Sequence, residues 1–259
     1  GQASPQPEFC AMTGQRNAVA ALHARTPGFV ARVGRARTIV AQALALEKAC
    51  APYVAFSAGK DSTVVLHLVR EQAPVVPAVF ADDEWNLPET LDLVARTPDC
   101  ARIASRVWHA DWFTSWENST EIPTGTVWVD APRRDGLQTY GRGHGYDLAF
   151  IGLRQEENTN RRIHLRKYGP LYFAASDDFW HCNPIHDWSW RDVWAYIVSR
   201  DLDYNRAYDV LEALGVPPQH QRIGPLAVER VLGYGQLAIL KRGWPELFNR
   251  FAAAHPEAR

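Results

Sequence analysis

Short apolar runs alternate with longer helical patterns along this chain. Residues 53–56 are apolar and short, as expected of a buried parallel strand, and 62–69 read as a helix packed on a sheet. A second strand is predicted at 75–80, followed by a helix at 91–96, and another buried strand at 147–153. Because strands alternate with helices, we predict an α/β fold with a doubly wound, mostly parallel sheet and helices on both faces.

Weaker patterns complete the predicted order of elements. Residues 1–12 carry Pro and Gln, so we expect a loose segment there, and a further strand is expected at 106–109. Asp187 is expected to cap a helix that packs on the sheet through nearby tryptophans. Helical patterns occupy residues 32–48, 192–199 and 206–214, and two segments within 226–253 that are interrupted by Gly243-Trp244-Pro245.

These patterns divide the chain into three parts. We predict a helical lead-in over 1–49, a nucleotide-binding α/β domain over 50–200 and a helical C-terminal extension over 201–259. Residues 111–145, rich in Trp, Pro and Gly, are expected to form an insertion or lid with a short helix after Asp135. The composition of this insertion fits the stacking of a base or a dimer contact equally well.

The clearest chemical signal lies between the first strand and its helix, in Ser57-Ala58-Gly59-Lys60-Asp61-Ser62. A helix N-terminus at this point directs backbone N–H groups and a positive dipole at one spot. We expect Gly59 to adopt a left-handed backbone, Ala58 to leave room for an anion and Lys60 to supply a charge suited to phosphate. We interpret the loop as a phosphate cradle. A simple capping turn is the alternative, and the spacing of a Walker A loop is absent.

Polar loops also follow two other predicted strands, at 82–90 and at 154–162. The carboxyl ends of parallel strands share one edge of a sheet, so the three loops are expected to meet there. Their carboxylates could hold Mg²⁺ or a ribose, and their arginines could bind phosphates. Each loop taken alone also fits a solvated surface of mixed charge. Residues 222–225 could close over a nucleotide, or they could form a simple turn.

Composition and charge narrow the class of protein. Of the 259 residues, 46% are hydrophobic and 22% are charged, as in an ordinary globular protein, and the net charge is −1. The overall charge therefore gives no electrostatic field that would favour binding to nucleic acid or to a membrane. Basic pairs at 133–134, 161–162 and 166–167 could still face a polyanion or one nucleotide. No apolar run has the length of a membrane span and no signal pattern is present, so we expect a cytoplasmic protein without a membrane partner.

The cysteines give no local metal motif. None of them forms a C-x-x-C pair, which disfavours a zinc or iron–sulfur site within a short segment. A cluster assembled from distant cysteines stays open. The four residues are Cys10, Cys50, Cys100 and Cys182.

The polar loops resemble segments of one family, in the expected order. The first is similar to the PP-loop S-G-G-K-D-S of the adenine-nucleotide alpha-hydrolase-like superfamily, with Ala58 in place of a glycine. The second resembles D-T-G-x-x-F-P-E-T of the phosphoadenylyl-sulfate (PAPS) reductase family, with Asp83 and Glu84 replacing Thr and Gly. The third resembles G-x-R-x-x-E-S-x-x-R, with Asn158 replacing Ser. Residues 183–194 resemble a fourth segment, P-I-x-D-W-T-x-x-D-V-W.

This resemblance implies a set of site residues. The implied catalytic groups are Lys60, Asp61, Arg154 and Arg161, of which the arginines would stabilise charge on the reacting phosphates. The implied Mg²⁺ ligands are Asp61 and Asp82, with Glu89 as a further candidate. The implied nucleotide-binding residues are Ser57, Ala58, Gly59, Lys60, Asp61, Ser62, Asp82, Glu89, Gly152, Arg154 and Glu157.

The family contains different chemistries, and the cysteines separate them. Sulfonucleotide reductases share a C-terminal E-C-G-L-H segment whose thiol attacks sulfur, whereas residues 183–259 contain no cysteine and Cys182 reads as a core residue. We therefore expect an ATP pyrophosphatase or adenylyltransferase that uses ATP and Mg²⁺ to activate an acceptor. The acceptor is a small molecule, nucleoside or nucleic acid of sulfur metabolism or sulfur modification, and a sulfur-donor protein is an expected partner.

Two other functions stay open at this point. One is a sulfonucleotide reductase that uses an atypical cysteine. The other is a non-catalytic nucleotide-binding component of a modification or defence complex.

Overall fold

A seven-stranded sheet forms the centre of the protein. The structure is a computed structural model that describes residues 7–47, 51–82, 85–107, 127–132, 136–175, 178–223 and 235–254. The strand order is β4-β3-β2-β1-β5-β7-β6, and β6 alone of these strands runs antiparallel to its neighbour. The doubly wound, mostly parallel sheet is thus confirmed. The strands are β1 (Pro52–Ala55), β2 (Ala78–Asp82), β3 (Cys100–Val107), β4 (Val127–Pro132), β5 (Leu148–Phe150), β6 (Leu171–Ala174) and β7 (Phe179–Cys182).

Helices cover both faces of this sheet and continue beyond it. None of the described helices is both long and apolar enough to cross a membrane. The helices are α1 (Pro7–His23), α2 (Pro27–Leu44), α3 (Lys60–Arg70), α4 (Pro88–Arg96), α5 (Gly136–Gly143), α6 (Thr159–Tyr168), α7 (Trp190–Ser199), α8 (Ala207–Ala213), α9 (Gln236–Gly243) and α10 (Pro245–Ala254), with a 3₁₀ turn at Pro218–His220.

The strand order reverses at β1, which pairs in parallel with β2 on one side and with β5 on the other. Val54 is opposite Ala78 in one pair and Phe150 in the other, and these side chains are fully buried. In an open α/β sheet such a reversal separates the loops beyond the carboxyl ends of the two strands. The crevice therefore lies between the loops that follow β1 and β5.

Apolar side chains cover both faces of the sheet. The larger core cluster joins residues from the lead-in, the sheet and the C-terminal helices, including Phe29, Val54 and Phe251. A smaller cluster around Tyr53 and Phe179 lies between the sheet and α5. The helical C-terminal region is present as predicted, whereas the boundaries at 49/50 and 200/201 stay predictions.

Several predicted elements are wrong in position. The second strand begins at Ala78 because Val75 lies in an exposed turn and Pro77 has no N–H to donate. The third strand begins at Cys100, well before residue 106, because its small and charged residues hide it from a search for apolar runs. The sequence did not predict β4, β6 or β7.

The loose segment predicted at 1–12 is wrong over residues 7–12, because α1 begins at Pro7, and residues 1–6 lie outside the described residues. Tertiary contacts hold this helix: the Arg16 guanidinium stacks 4.1 Å from the Trp194 ring, and its Nη2 lies 2.8 Å from Oδ1 of Asp209. Packing rather than local propensity therefore stabilises α1.

The N-cap of α7 is Ser189, and not Asp187 as predicted. Ser189 and Asp192 form a reciprocal capping box, whereas Asp187 forms an ion pair with Arg35 of α2 at 2.7 Å. The predicted packing role of Trp188 is confirmed by its 1% exposure. The short helix predicted after residue 135 and the two tail helices are present, while residues 111–126 and 133–135 of the insertion lie outside the described residues.

Candidate functional site

A cavity of about 700 Å³ opens at the point where the strand order reverses. The loops after β1, β2 and β5 line it, as the sequence predicted. Side chains from α7, α8 and residues 218–223 form its outer wall, and among these Trp190, Arg191, Tyr208, Gln221 and Arg222 contact the cavity.

The turn between β1 and α3 has the opposite backbone conformations from those predicted. Ala58 is left-handed at φ 55°, whereas Gly59 is extended at φ −79° and ψ 157°. The space beside Gly59 is limited, because a Cβ there would lie in tight contact at 3.3 Å from Ser57 Oγ and in ordinary contact at 3.5 Å from Tyr208 Oη. The small residues of this loop thus leave room at the helix N-terminus.

Side-chain hydroxyls hold the turn in this shape. Ser57 N–H donates to Ser62 Oγ at 3.2 Å, and the two hydroxyl oxygens lie 3.1 Å apart. Ser62 Oγ donates to the carbonyl oxygen of Gly59 at 3.0 Å. The cavity wall at the start of α3 is therefore fixed by the protein's own hydrogen bonds, independently of a ligand.

Tyr208 of α8 is a site residue that sequence analysis missed. Its hydroxyl accepts from the backbone N–H of Lys60 at 3.1 Å, and the Lys60 ammonium lies 5.3 Å from its ring centre. Tyr208 belongs to a predicted helix far along the chain, and no motif marked it. Only the packing of α8 against the loop brings it to the site.

Lys60, Asp61 and Arg154 form a buried charge cluster on the cavity wall. Asp61 Oδ2 accepts from Lys60 Nζ at 3.1 Å, and Asp61 Oδ1 accepts from Arg154 Nε at 2.6 Å. Burial opposes both charges of the Lys60–Asp61 pair. Tyr208 and Asp61 nevertheless raise the pKa of Lys60, and Lys60 and Arg154 lower the pKa of Asp61. The cluster places an ammonium and a guanidinium, two groups that suit phosphate, on the cavity wall with Asp61 between them.

The loop after β5 positions Arg154 through two glutamates. Arg154 Nη1 donates to Glu156 Oε2 at 2.7 Å, and the Arg154 backbone N–H donates to Glu157 Oε2 at 3.0 Å. Glu157 also forms an ion pair with Arg161 in the first turn of α6. The structure therefore places Arg154, Glu157 and Arg161 together, with Glu157 as the group that connects the two arginines.

Gly152 allows the β5 loop to approach α3 closely. A Cβ at this position would lie 3.0 Å from the carbonyl carbon of Asp61 and 3.1 Å from the backbone nitrogen of Ser62. Since both neighbours are backbone atoms, a larger residue would push the two loops apart. Gly152 thus acts on the site through spacing.

Asp82 and Glu89 do not line the cavity, although the sequence predicted both as nucleotide-binding residues. Asp82 is 3% exposed, pairs with Arg102 of β3 and accepts from Asn86 Nδ2 at 2.5 Å. Glu89 accepts from Trp244 Nε1 through both oxygens, at 3.0 and 2.9 Å. Both carboxylates are engaged by other parts of the fold.

The predicted Mg²⁺ ligands do not form a ready metal site. Both oxygens of Asp61 accept from cations, and both oxygens of Asp82 also accept hydrogen bonds. Among the described residues, no group of three or more His, Cys, Asp or Glu could hold a metal ion. Mg²⁺ needs open carboxylate oxygens or phosphates, so it stays a prediction here.

The described cysteines do not resemble reactive thiols. Cys100 and Cys182 are free, and neither lines the cavity. Burial raises the pKa of Cys100 to about 11 and raises that of the fully buried Cys182 even further. A thiol with a raised pKa is a poor nucleophile, because the thiolate is the attacking form.

Comparison with known proteins matches this chain to one family. The family model described as phosphoadenosine phosphosulfate reductase domain matches residues 51–215. A phosphoadenosine 5'-phosphosulfate reductase of Xylella fastidiosa (strain 9a5c) is 25% identical over 170 residues, 61% of this chain and 67% of that protein. The corresponding reductase of Salmonella heidelberg (strain SL476) is 27% identical over 180 residues, 64% of this chain and 69% of that protein.

A solved structure supports the same fold. The phosphate complex of the phosphoadenylyl-sulfate (PAPS) reductase from Candida auris aligns with a TM-score of 0.51 and 16% identity, over 88% of this chain and 99% of that chain. Its likeness concerns the fold alone. Because the family model matches well over half of the sequence, the chain belongs to the PAPS reductase domain family.

Proposed function

We propose that this protein binds ATP in the cavity and cleaves it between the α and β phosphates to adenylylate an acceptor in sulfur metabolism or sulfur modification. The observation that carries the proposal is the Lys60–Asp61–Arg154 cluster at the N-terminus of α3, on the wall of a cavity large enough for a nucleotide. The family relatives, named as reductases of an adenylylated sulfate, support an adenine nucleotide as ligand.

In this proposal each residue acts by position and charge. The turn at residues 57–62 and Lys60 hold the terminal phosphates, and Asp61 keeps Lys60 and Arg154 in place before ATP arrives. Arg154 and Arg161 stabilise charge on the α-phosphate and on the leaving pyrophosphate. An oxygen of the acceptor attacks the α-phosphorus, the bond to the bridging α–β oxygen breaks, and pyrophosphate leaves.

The direct test is the identity of the products. Purified protein with ATP, Mg²⁺ and candidate acceptors should release pyrophosphate and form adenylylated acceptor, or AMP where the acceptor is water. Lys60→Gln should lower that release by about 10- to 100-fold, the loss expected for one charge-assisted contact. Asp203→Asn, on an exposed loop away from the cavity, serves as the control. Release of ADP and phosphate alone would reject the proposal.

A sulfonucleotide reductase is the second candidate, favoured by the names of the relatives. It would need a thiol at the sulfate sulfur, and neither Cys100 nor Cys182 lines the cavity. Sulfite release from PAPS with thioredoxin, abolished by Cys182→Ser, would establish it. If instead ATP binds tightly without cleavage under every condition, the protein is a non-catalytic nucleotide-binding component.

A further inference from the structure

Helix α6 carries a face of exposed cations, which we call the α6 basic face and define by Arg162, Arg166 and Lys167. The helix, TNRRIHLRKY, contains no acidic residue. Its other cation, Arg161, pairs with Glu157, whereas no carboxylate in the described ranges forms an ion pair with a member of the basic face. The face therefore offers charge that the described fold does not use.

Helix stability alone does not explain these charges. Cations in the last turn, such as Arg166 and Lys167, interact favourably with the helix dipole. Arg162 lies near the N-terminus, where the dipole is positive and a cation is unfavourable. The helix dipole therefore accounts for Arg166 and Lys167 but not for Arg162.

Exposed aromatic rings accompany the basic face at its C-terminal end. Tyr168 is 47% exposed, and Phe173 on the edge strand β6 is 46% exposed. The Lys167 ammonium lies 4.8 Å from the centre of the Tyr168 ring. Cations interleaved with exposed aromatic rings are typical of surfaces that bind single-stranded nucleic acid, where cations contact the backbone and rings stack on bases.

The basic face lies next to residues of the cavity described above. Arg161, its neighbour on α6, lines the cavity, and so do the exposed Arg191 and Arg222. The opposite side of α6 packs on the sheet edge, with Leu165 buried and His164 Nε2 2.8 Å from Tyr172 Oη. Positive charge therefore extends from the cavity mouth along the solvent side of α6.

We propose that the α6 basic face, with Tyr168 and Phe173, binds a single-stranded segment of nucleic acid and directs one of its nucleotides into the cavity. This assignment rests on the proposed function, since the bound strand would be the acceptor of the adenylyl group. RNA and DNA share the backbone phosphates and bases that this surface recognises. The test therefore includes both.

The test measures binding without ATP, so that its result is independent of the cleavage reaction. Fluorescence anisotropy of labelled single-stranded RNA and DNA of about 20 nucleotides compares the full chain with Arg162→Glu/Arg166→Glu/Lys167→Glu. The matched control is Arg25→Glu/Lys241→Glu/Arg242→Glu, which makes the same change of charge at exposed positions elsewhere. Thermal melting verifies that both variants fold.

We expect the basic-face variant to bind at least about tenfold more weakly than the control. The slope of log Kd against the logarithm of the salt concentration should also fall by about 2. Tyr168→Ala/Phe173→Ala should weaken binding by about fivefold or more through lost stacking. A preference for RNA or DNA would identify the source of the strand.

Equal binding by the basic-face variant and the control would overturn the assignment. So would binding of the unaltered chain to vesicles of anionic lipid but to neither type of strand. If the protein binds strands but releases no pyrophosphate, the binding-surface assignment holds and the proposed ATP cleavage is rejected. If it cleaves ATP but binds no strand, the proposed ATP cleavage holds and the binding-surface assignment is rejected.

Discussion

Two loops at the carboxyl edge of the sheet carry charged residues in a similar arrangement, yet only one lines the cavity with its charges. After β1, Lys60 and Asp61 are held with Arg154 on the cavity wall. After β2, Asp82 binds Arg102 of β3, and Glu89 binds Trp244 between the last two helices. A carboxylate at a strand end is thus a ligand candidate only if the rest of the fold leaves it free.

The neighbours of each loop explain the difference. The loop after β1 lies at the strand-order reversal, where the cavity opens beside it. The loop after β2 lies beside β3 and beneath the C-terminal helices, with Trp85 against Phe251 at 5.2 Å. Its carboxylates therefore pair with other parts of the fold, whereas Asp61 of the other loop holds two cations at the cavity wall.

The largest expected effect is on ATP affinity, which should fall after a substitution in the β1 loop but not after one in the β2 loop. Lys60→Gln should weaken ATP binding by about 10- to 100-fold, because a buried charge-assisted contact to phosphate is lost. Glu89→Gln should change the affinity by less than about twofold. Calorimetric titration with ATP measures both, and similar losses for the two variants would contradict the distinction between the loops.

The second effect concerns stability in the β2 loop. Asp82→Asn should lower the free energy of unfolding by about 2 kcal/mol, because the buried partner of Arg102 loses its charge. Urea denaturation measures the loss. At a temperature where the variant is folded, its ATP affinity should match that of the unaltered chain. A tenfold loss of affinity would show that Asp82 contributes to nucleotide binding.

A smaller effect tests the contact between the β2 loop and the C-terminal helices. Glu89→Gln and Trp244→Phe should each lower the free energy of unfolding, and the double variant should reveal a coupling of about 1 kcal/mol. Additive losses in the urea midpoints would show that the two side chains do not stabilise each other.

The smallest effect sharpens the description of the β1 turn. Ala58→Gly should stabilise the protein by about 0.5 kcal/mol, because relief of the left-handed strain slightly exceeds the added entropy of the unfolded chain. Ala58→Val should destabilise it by more than about 1 kcal/mol, since a branched side chain tolerates that backbone poorly. If Ala58→Gly instead lowered the melting temperature, the left-handed conformation of Ala58 would be wrong.

Local patterns in the chain are sufficient to predict the sheet class, the order of the loops and the core of the site. Apolar strands followed by polar turns are such patterns, so residues 57–62 and Arg154 can be assigned to one edge of the sheet from the residues alone. The apolar segments of β6 and β7 are only four residues long, and periodicity cannot distinguish a strand from part of a buried helix over so short a run. The helix α1 gives no local signal, because distant residues on α7 and α8 stabilise it.

Which charged groups face the cavity depends instead on long-range packing. Tyr208 reaches Lys60 from a helix 148 residues further along the chain, and Glu89 is held by a residue 155 positions away. Sequence motifs specify residue types at short spacing, whereas the partner of a carboxylate depends on which distant segment packs beside it. For that physical reason the position of residues 57–62 at the edge of the sheet could be predicted, and the engagement of Asp82 and Glu89 could not.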